Sequence, residues 1–227
     1  MLFPSGATAP ADCRNRPPSE GARRKTFVPF LHRPLHRMRK LIAALNMTLD
    51  GVCDHTAGLP DEEIHQHYAD LLRNAGAVLY GRTTFQLMTY WQTAAQQPTG
   101  HPATDGFAAT MDQVPKVVFS RTLHQLDWAS ARLATRNLQE EVVALKQQAG
   151  KDLVVGSRSV IIQLLQLGLV DELQLCVHPV VAGTGLLFFA GLTDRVPLTL
   201  LRTKTFGGGA VVLYYQPAAP ETAAAHL

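Results

Sequence analysis

The chain has 227 residues, 46% of them hydrophobic, which is enough for one large domain around a single core. Its formal charge of +3 is unevenly distributed, because residues 1–37 hold seven basic and two acidic residues. Residues 38–227 hold 14 basic and 16 acidic residues, so no basic nucleic-acid-binding face is expected there. The three cysteines are widely spaced and lack the spacing of metal ligands, which argues against a disulfide framework and a metal site and favours a reducing compartment. No apolar run reaches about 18 residues, so no membrane span is expected. These features favour a cytoplasmic protein.

Both ends of the chain differ in composition from its centre. Residues 1–37 combine the basic excess with six of the 14 prolines. They predict a disordered arm, because such a segment cannot bury enough apolar surface to offset its conformational entropy. An upstream mis-assigned start, with Met38 as the natural one, and an organelle-targeting arm both fit this composition. Residues 217–227 predict a second disordered tail, which leaves one folded domain over 38–216.

The central region begins with alternating strand and helix patterns. A short apolar strand is predicted over 40–45. It is followed by a helix over 61–75, whose apolar residues recur on one face and which Gly76 can end in the left-handed conformation. A buried strand over 77–80 then leads through the sequence GRTTF into a second helix.

The second half of the domain continues this alternation. Asn137 and Glu140 form a capping box that opens a helix through Ala149. The other predicted elements are strands over 116–120 and 152–156, a helix over 157–168, a half-exposed strand over 172–180 and a hairpin around the glycine-rich turn of TFGGGAVVLYY. The sequence therefore predicts an α/β fold of three layers, α/β/α, with a mostly parallel central sheet and a C-terminal antiparallel hairpin.

Three junctions that follow predicted strands carry residues suited to a dinucleotide. In an open α/β sheet, ligands bind beyond the carboxyl ends of the strands, where the first amides of helices are unpaired. The candidate residues are Gly81, Arg82, Thr83 and Thr84 at the first junction; Gly156, Ser157, Arg158, Ser159 and Val160 at the second; and Ser120 and Arg121 at the third. Two arginines in phosphate positions favour NADPH over NADH. The alternative is ordinary glycine turns with Ser/Thr N-caps and a solvated Arg121.

The chain resembles the dihydrofolate-reductase-like superfamily, and more narrowly its bacterial branch related to the reductase domain of the riboflavin-biosynthesis deaminase-reductase. The resemblance spans 38–216 and is carried by LNMTLDG, VLYGRTTF, KVVFSRT, DLVVGSRSVIIQLLQLGLVDELQLCVHPVVAGTG and FGGGAVVLYY. It implies an oxidoreductase that passes hydride from NADPH to a small heterocyclic or carbonyl substrate. The first and third junctions would hold the adenosine-phosphate end of NADPH, and the second its pyrophosphate. Dihydrofolate reductases have a Gly-Gly cis peptide at the second junction, where this chain has Gly156-Ser157.

The substrate side is less well defined by the sequence. Asp50, in the loop after the first strand, is the candidate for a substrate contact and for proton delivery, with an ordinary Asp-Gly turn as the alternative. Glu62 lies near the place where dihydrofolate reductases hold the pterin, but the segment GLPDEEI has no tryptophan, which disfavours dihydrofolate. The open substrates are 5-amino-6-(5-phosphoribosylamino)uracil, dihydrofolate and an unrelated carbonyl compound, and a non-catalytic NADPH sensor is also open. Relatives often pair as homodimers, and the apolar segment LLFFAGL can support such pairing.

Overall fold

The structure, a computed structural model, describes residues 37–218. The predicted arm over 1–37 and the predicted tail over 217–227 lie, apart from their innermost residues, outside the described residues. The strands are β1 (Leu41–Thr48), β2 (Ala75–Gly81), β3 (Lys116–Phe119), β4 (Ala131–Leu133), β5 (Asp152–Val155), β6 (Glu172–His178), β7 (Leu198–Thr205) and β8 (Val211–Pro217). The helices are α1 (Glu62–Arg73), α2 (Arg82–Gln96), α3 (Pro102–Gln113), α4 (Leu138–Lys146) and α5 (Arg158–Gln166).

The strands form one sheet in the order β4-β3-β2-β5-β1-β6-β8-β7. Neighbours from β4 to β6 are parallel. At the other edge, β8 is antiparallel to β6, and β7 is antiparallel to β8. The mostly parallel sheet and the C-terminal antiparallel hairpin predicted from the sequence are both confirmed.

Helices cover both faces of this sheet. Because successive residues of a strand point to opposite faces, Leu153 and Val154 of β5 belong to different cores. Leu153 packs in the core that contains Ile161 of α5 and the buried residues of α4. Val154 packs in the core that contains Phe85 of α2, Leu72 of α1 and Phe107 of α3. The fold therefore has the three layers that the sequence predicts.

Two helix starts are fixed by side-chain caps. The Asp61 carboxylate accepts a hydrogen bond from the Ile64 backbone N–H over 2.9 Å at the start of α1. The Asn137 side-chain oxygen accepts from the Glu140 N–H over 3.0 Å at the start of α4. Each cap satisfies an amide that has no partner within its own helix. The predicted start of α4 is thus confirmed, and α1 begins one residue later than predicted.

The predicted role of Gly76 is wrong. Helix α1 ends at Arg73, with Asn74 as its C-cap, and Gly76 lies inside β2. A Cβ on Gly76 would lie 2.7 Å from the Lys151 carbonyl oxygen and would collide with the Arg39 guanidinium. Glycine is required here by this close approach of two distant segments, which the local sequence does not reveal.

The strand predicted over 172–180 is confirmed as β6, but its predicted half-exposure is wrong. In β6, Gln174, Cys176 and His178 are buried together with the leucines between them. The strand lies between β1 and β8, and Cys176 packs in a third core with Ile64 of α1. Polar residues alternate along β6, but α1 covers the face on which they lie.

Helix α3 and the short strand β4 had no sequence prediction. Helix α3 buries Phe107, Ala108 and Met111, but Gly106 and two threonines weaken its helical pattern. Within 37–218, none of the helices is both long and apolar enough to cross a bilayer. The same residues contain no cluster of His, Cys, Asp or Glu arranged to hold a metal ion.

Candidate functional site

The carboxyl end of the sheet contains a notch beside β1. Only the first three residues of β1, 41–43, pair with β5, whereas the pairing of β1 with β6 continues to Thr48. The second half of β1 therefore has an open edge on the β5 side. The bends after β2 and β5 and the loop after β6 start at the same end of the sheet, which is where open α/β sheets bind ligands.

The two glycine-containing bends lie side by side. The Gly81 N–H at the end of β2 donates to the Ser157 hydroxyl at the start of α5 over 2.8 Å. A Cβ on Gly81 would lie 3.4 Å from Val160 Cγ2 and 3.7 Å from Ser159 Oγ. The structure thus brings the first and second junctions together, while their role as a phosphate site stays a prediction.

Both bends present helix starts without side-chain caps. The N-cap of α2 is Gly81, which has no side chain. The N-cap of α5 is Ser157, whose hydroxyl makes no hydrogen bond to its own helix. Among residues 37–218, no side chain accepts from the first-turn amides of either helix. Two adjacent helix starts with free N–H groups create a positive electrostatic potential that suits an anion.

Ser157 and Arg158 are engaged by the protein itself. Ser157 is 1% exposed, and its hydroxyl holds the Gly81 N–H. The Arg158 Nε donates to the Leu187 carbonyl oxygen over 2.7 Å, and its terminal nitrogen reaches the Ala190 carbonyl oxygen. The Arg158 side chain therefore ties α5 to the loop after β6, which leaves its backbone amide as the group available to a ligand.

Two other arginines lie at the carboxyl end of the sheet, and neither forms an ion pair within 37–218. Arg82, the first residue of α2, is exposed and forms no ion pair within 37–218. Arg121 is also exposed and unpaired within this range, and it follows β3, whose Phe119 pairs with Gly81. Ser120 accepts from the N–H groups of the two residues after Arg121, over 3.1 and 2.9 Å. The third junction thus lies one strand beyond the first.

The Gly156-Ser157 junction is closely packed below the cleft. A Cβ on Gly156 would lie 3.2 Å from the Tyr80 ring, so a larger residue would displace that buried side chain. The peptide bond between Gly156 and Ser157 is trans, like all the described peptide bonds.

Asp50 joins the loops after β1 and β6. Its carboxylate accepts from the Thr48 hydroxyl over 2.5 Å and from the N–H groups of Ala182 and Gly183 over 3.1 and 2.7 Å. The hydrogen bond from Thr48, followed by those from the two amides, lowers the pKa of Asp50 to about 2. Asp50 is ionised at neutral pH, so its contacts favour a role in ordering the loops over the predicted proton delivery. Its contact with substrate stays a prediction.

Glu62 lies on a different part of the surface. It is exposed at the first turn of α1 and lines an open cavity of about 400 Å³ together with Lys204 and Phe206. None of the described hydrogen bonds or ion pairs joins Glu62 to Asp50 or to the two bends. Its predicted catalytic role has no supporting contact within the described residues.

Sequence reasoning missed a polar cluster beside the notch. The Asn46 side-chain oxygen lies 3.1 Å from the Tyr68 hydroxyl and 3.1 Å from His178 Nε2. Asn46 is exposed, whereas His178 has no exposed surface. The available signal was a polar residue in the apolar run of β1, two positions before Thr48 and therefore on the same face.

The sheet order, the three layers and the cleft at the carboxyl ends of the strands define a dihydrofolate-reductase-like α/β protein. Dihydrofolate reductase from Enterococcus faecalis, solved in complex with NADP(H), superimposes with a TM-score of 0.52 at 16% identity and covers 81% of this chain and 99% of its own. The chain belongs to the RibD C-terminal domain family, whose model matches residues 39–212. The family and fold predicted from the sequence are thus confirmed.

Two further relatives agree with this assignment. The uncharacterized protein YyaP of Bacillus subtilis is 33% identical over 183 residues, which is 79% of this chain and 95% of that protein. The diaminohydroxyphosphoribosylaminopyrimidine deaminase/5-amino-6-(5-phosphoribosylamino)uracil reductase of Thermotoga maritima superimposes with a TM-score of 0.57 at 15% identity. That likeness covers 80% of this chain and 57% of the Thermotoga chain.

Proposed function

We propose that this protein is an NADPH-dependent reductase that transfers hydride to a small heterocyclic substrate, with 5-amino-6-(5-phosphoribosylamino)uracil as the first candidate. The observation that carries the proposal is the hydrogen bond between Gly81 and Ser157. It holds two uncapped helix starts side by side, so that their amides can bind neighbouring phosphates of one dinucleotide.

The residues around the two bends fit the phosphates of a dinucleotide. Gly81 keeps the surface between the bends open, because a side chain there would contact Ser159 and Val160. The exposed Arg82 provides a cation at the start of α2. Arg121, one strand further along, is suited to the 2′-phosphate that distinguishes NADPH from NADH. Arg82, Thr83, Thr84, Ser120 and Arg121 would therefore hold the adenosine-phosphate end, and the residues from Gly156 to Val160 the pyrophosphate.

Catalysis would depend mainly on placing two reactants in contact. NADPH, when bound, supplies the hydride. The protein would contribute the open edge of β1 and the loops held by Asp50, which would orient the substrate against the cofactor. Because Asp50 is ionised at neutral pH, the proton is expected from solvent.

The comparisons support both halves of the proposal. The Thermotoga protein is named as a reductase of the aminouracil, and the Enterococcus protein binds NADP(H). Membership of the RibD C-terminal domain family connects this chain with the first of these activities.

Titration of the purified protein with NADPH and NADH, followed by fluorescence, tests the cofactor. Addition of the aminouracil, and separately of dihydrofolate, while the absorbance of the reduced cofactor is followed, tests turnover. We expect NADPH to bind more tightly than NADH and to be oxidised with the aminouracil. Binding without oxidation by either substrate would favour a sensor, and failure to bind NADPH would refute the proposal.

A homodimer is also part of the proposal. In the segment LLFFAGL, the side chains of Leu186, Leu187 and Phe189 are 47%, 50% and 39% exposed. An apolar patch of this kind commonly marks a contact surface. Light scattering after size-exclusion chromatography should give the mass of two chains, and Leu187→Arg should shift it to one. Leu167→Arg, at the exposed C-cap leucine of α5, is the matched control. A monomeric wild type would contradict the dimer.

We further propose a cytoplasmic location. Cys53 and Cys176 are both free thiols, which fits a reducing compartment. Cell fractionation with an antibody against the chain should place the protein in the cytosolic fraction, and recovery from an organelle would contradict this.

A further inference from the structure

The orientation of the Asn46 side-chain amide is fixed by its neighbours. Its oxygen is shared by Tyr68 on α1 and His178 on β6, each at 3.1 Å. The Tyr68 hydroxyl can donate to that oxygen. Whether His178 also donates depends on which ring nitrogen carries its proton.

A backbone group determines the proton position on His178. The Leu59 N–H donates to His178 Nδ1 over 3.0 Å, so in the neutral ring Nε2 carries the proton. The ring is fully buried, and a Cβ on Gly58 would lie 3.1 Å from Nε2, so the packing holds the ring in place. Burial lowers the pKa of His178, which favours the neutral form. His178 therefore donates to the Asn46 oxygen.

These two bonds use the full accepting capacity of the amide oxygen. A carbonyl oxygen has two lone pairs, and both face donors here. A flipped amide would place its NH₂ group against the Nε2–H donor of His178, which is unfavourable. The Asn46 Nδ2 group is thus directed away from Tyr68 and His178, and within 37–218 nothing accepts a hydrogen bond from it.

The free amide donors lie where a substrate would bind. Asn46 is exposed on the part of β1 that extends beyond its last pairing with β5, at Ala43. This open edge adjoins the Gly156 bend, because a Cβ on Gly156 would lie 3.9 Å from the Ala44 carbonyl oxygen. An NH₂ group held in this way can donate to a ligand but cannot accept from one.

We infer that Asn46 is a specificity-determining residue that donates a hydrogen bond from Nδ2 to a ring carbonyl oxygen of the substrate. Tyr68 and His178 are positioning residues that keep this donor aimed at the cleft. The inference rests on the proposed reductase function and adds the chemical feature that the substrate must present, a hydrogen-bond acceptor beside the reacting carbon.

The variant Asn46→Asp tests this inference with little disturbance of the fold. Its carboxylate still accepts from Tyr68 and His178 but has no NH₂ group to donate. We expect the KM for the aminouracil to rise about tenfold or more, as for loss of a buried substrate hydrogen bond. The dissociation constant of NADPH should stay within about twofold, since the phosphate bends are untouched. Gln148→Glu, an exposed residue after α4, is the control for the added negative charge.

A double-mutant cycle tests the positioning role of Tyr68. Tyr68→Phe removes one donor to Asn46 and should raise KM by about threefold. In the background of Asn46→Asp the same change should have almost no further effect on KM, because the donor that Tyr68 orients is already gone. A merely structural role for Tyr68 would give the same added effect in both backgrounds. Nitrogen NMR of labelled histidine should show the proton of His178 on Nε2.

The outcomes separate this inference from the proposed function. An unchanged KM in Asn46→Asp would overturn the role of Asn46 alone, whereas a wild type that binds NADPH but not the aminouracil would overturn that role together with the aminouracil as substrate. A His178 proton on Nδ1 would also overturn it, since the amide could then turn around. A wild type that does not bind NADPH would refute the proposed function and the inference together.

Discussion

The backbone N–H of Gly81 and the hydroxyl of Ser157 are 2.8 Å apart, and this hydrogen bond joins the ends of β2 and β5. The bond connects residues 76 positions apart in sequence. Ser157 would ordinarily cap its own helix, but its hydroxyl instead holds the neighbouring bend. The first turn of α5 is left without a side-chain cap, and it is this turn that faces the cleft.

Replacing Ser157 by alanine should therefore weaken both stability and cofactor binding. The Gly81 N–H would lose its partner beneath the two bends, which costs about 1–3 kcal/mol of unfolding free energy. Urea unfolding followed by circular dichroism measures this change, and the dissociation constant of NADPH should rise severalfold. Ser159→Ala is the stability control, because this exposed hydroxyl has no described hydrogen bond. Equal losses of stability in the two variants would contradict the assignment.

Local signals explain which parts of the fold the sequence could predict. The cap at Asn137 and the alternation of strands and helices depend on neighbouring residues, so the sequence predicts them, except for α3 and β4. Gly76 was misread because its requirement comes from Arg39 and Lys151, which are distant in sequence. The burial of His178 was missed for the same reason, since α1 and β8 cover β6 only in the folded protein.

The candidate site shows the same division. Glycine-containing bends are recognisable in a sequence, so the sequence alone identifies the residues around Gly81 and Gly156 as candidates. The orientation of a side chain depends on partners from several elements. Asn46, held by α1 and β6, was therefore missed, and the guanidinium of Arg158 was not expected to bind the loop after β6.

Arg82→Ala should weaken NADPH binding far more than Asp50→Ala does. Arg82 is an exposed cation at the start of α2, and a charge-assisted hydrogen bond to phosphate is worth about tenfold or more in affinity. Asp50 contacts loops on the substrate side. Fluorescence titration with NADPH gives the dissociation constants. The control is Arg195→Ala, at an exposed arginine without an ion pair in 37–218, which should leave the dissociation constant of NADPH unchanged. Equal losses of NADPH affinity in the Arg82 and Asp50 variants would refute the division into cofactor and substrate sides.

The contribution of Asp50 to stability should disappear only in acid. Its pKa is lowered from 3.8 to about 2 in the folded protein, mainly by the Thr48 hydroxyl and then by two loop amides. A depressed pKa stabilises the fold above the unfolded-state value, and this stabilisation is lost as the pH falls from about 4 through 2. Urea unfolding of wild type and Asp50→Asn should therefore differ by a constant amount from pH 5 to about 8 and converge toward pH 2. A difference that changes between pH 5 and 8 would contradict this account.

Gly185→Ala should destabilise the loop after β6 more than Gly183→Ala does. Both glycines have a positive φ, +135° at Gly185 and +76° at Gly183, so both variants carry backbone strain. A Cβ on Gly185 would in addition lie 2.5 Å from Val52 Cγ1 and collide with the Asp54 carboxylate, whereas one on Gly183 has no neighbour within 4 Å. Asp54 also accepts from the Leu186 N–H over 2.8 Å, so the collision would break the pairing of this loop with the loop after β1. We expect a loss of about 1 kcal/mol for Gly183→Ala and about 2–4 kcal/mol for Gly185→Ala in urea unfolding. Similar losses in both would mean that the loop can move away from Asp54 and that its packing does not fix the site.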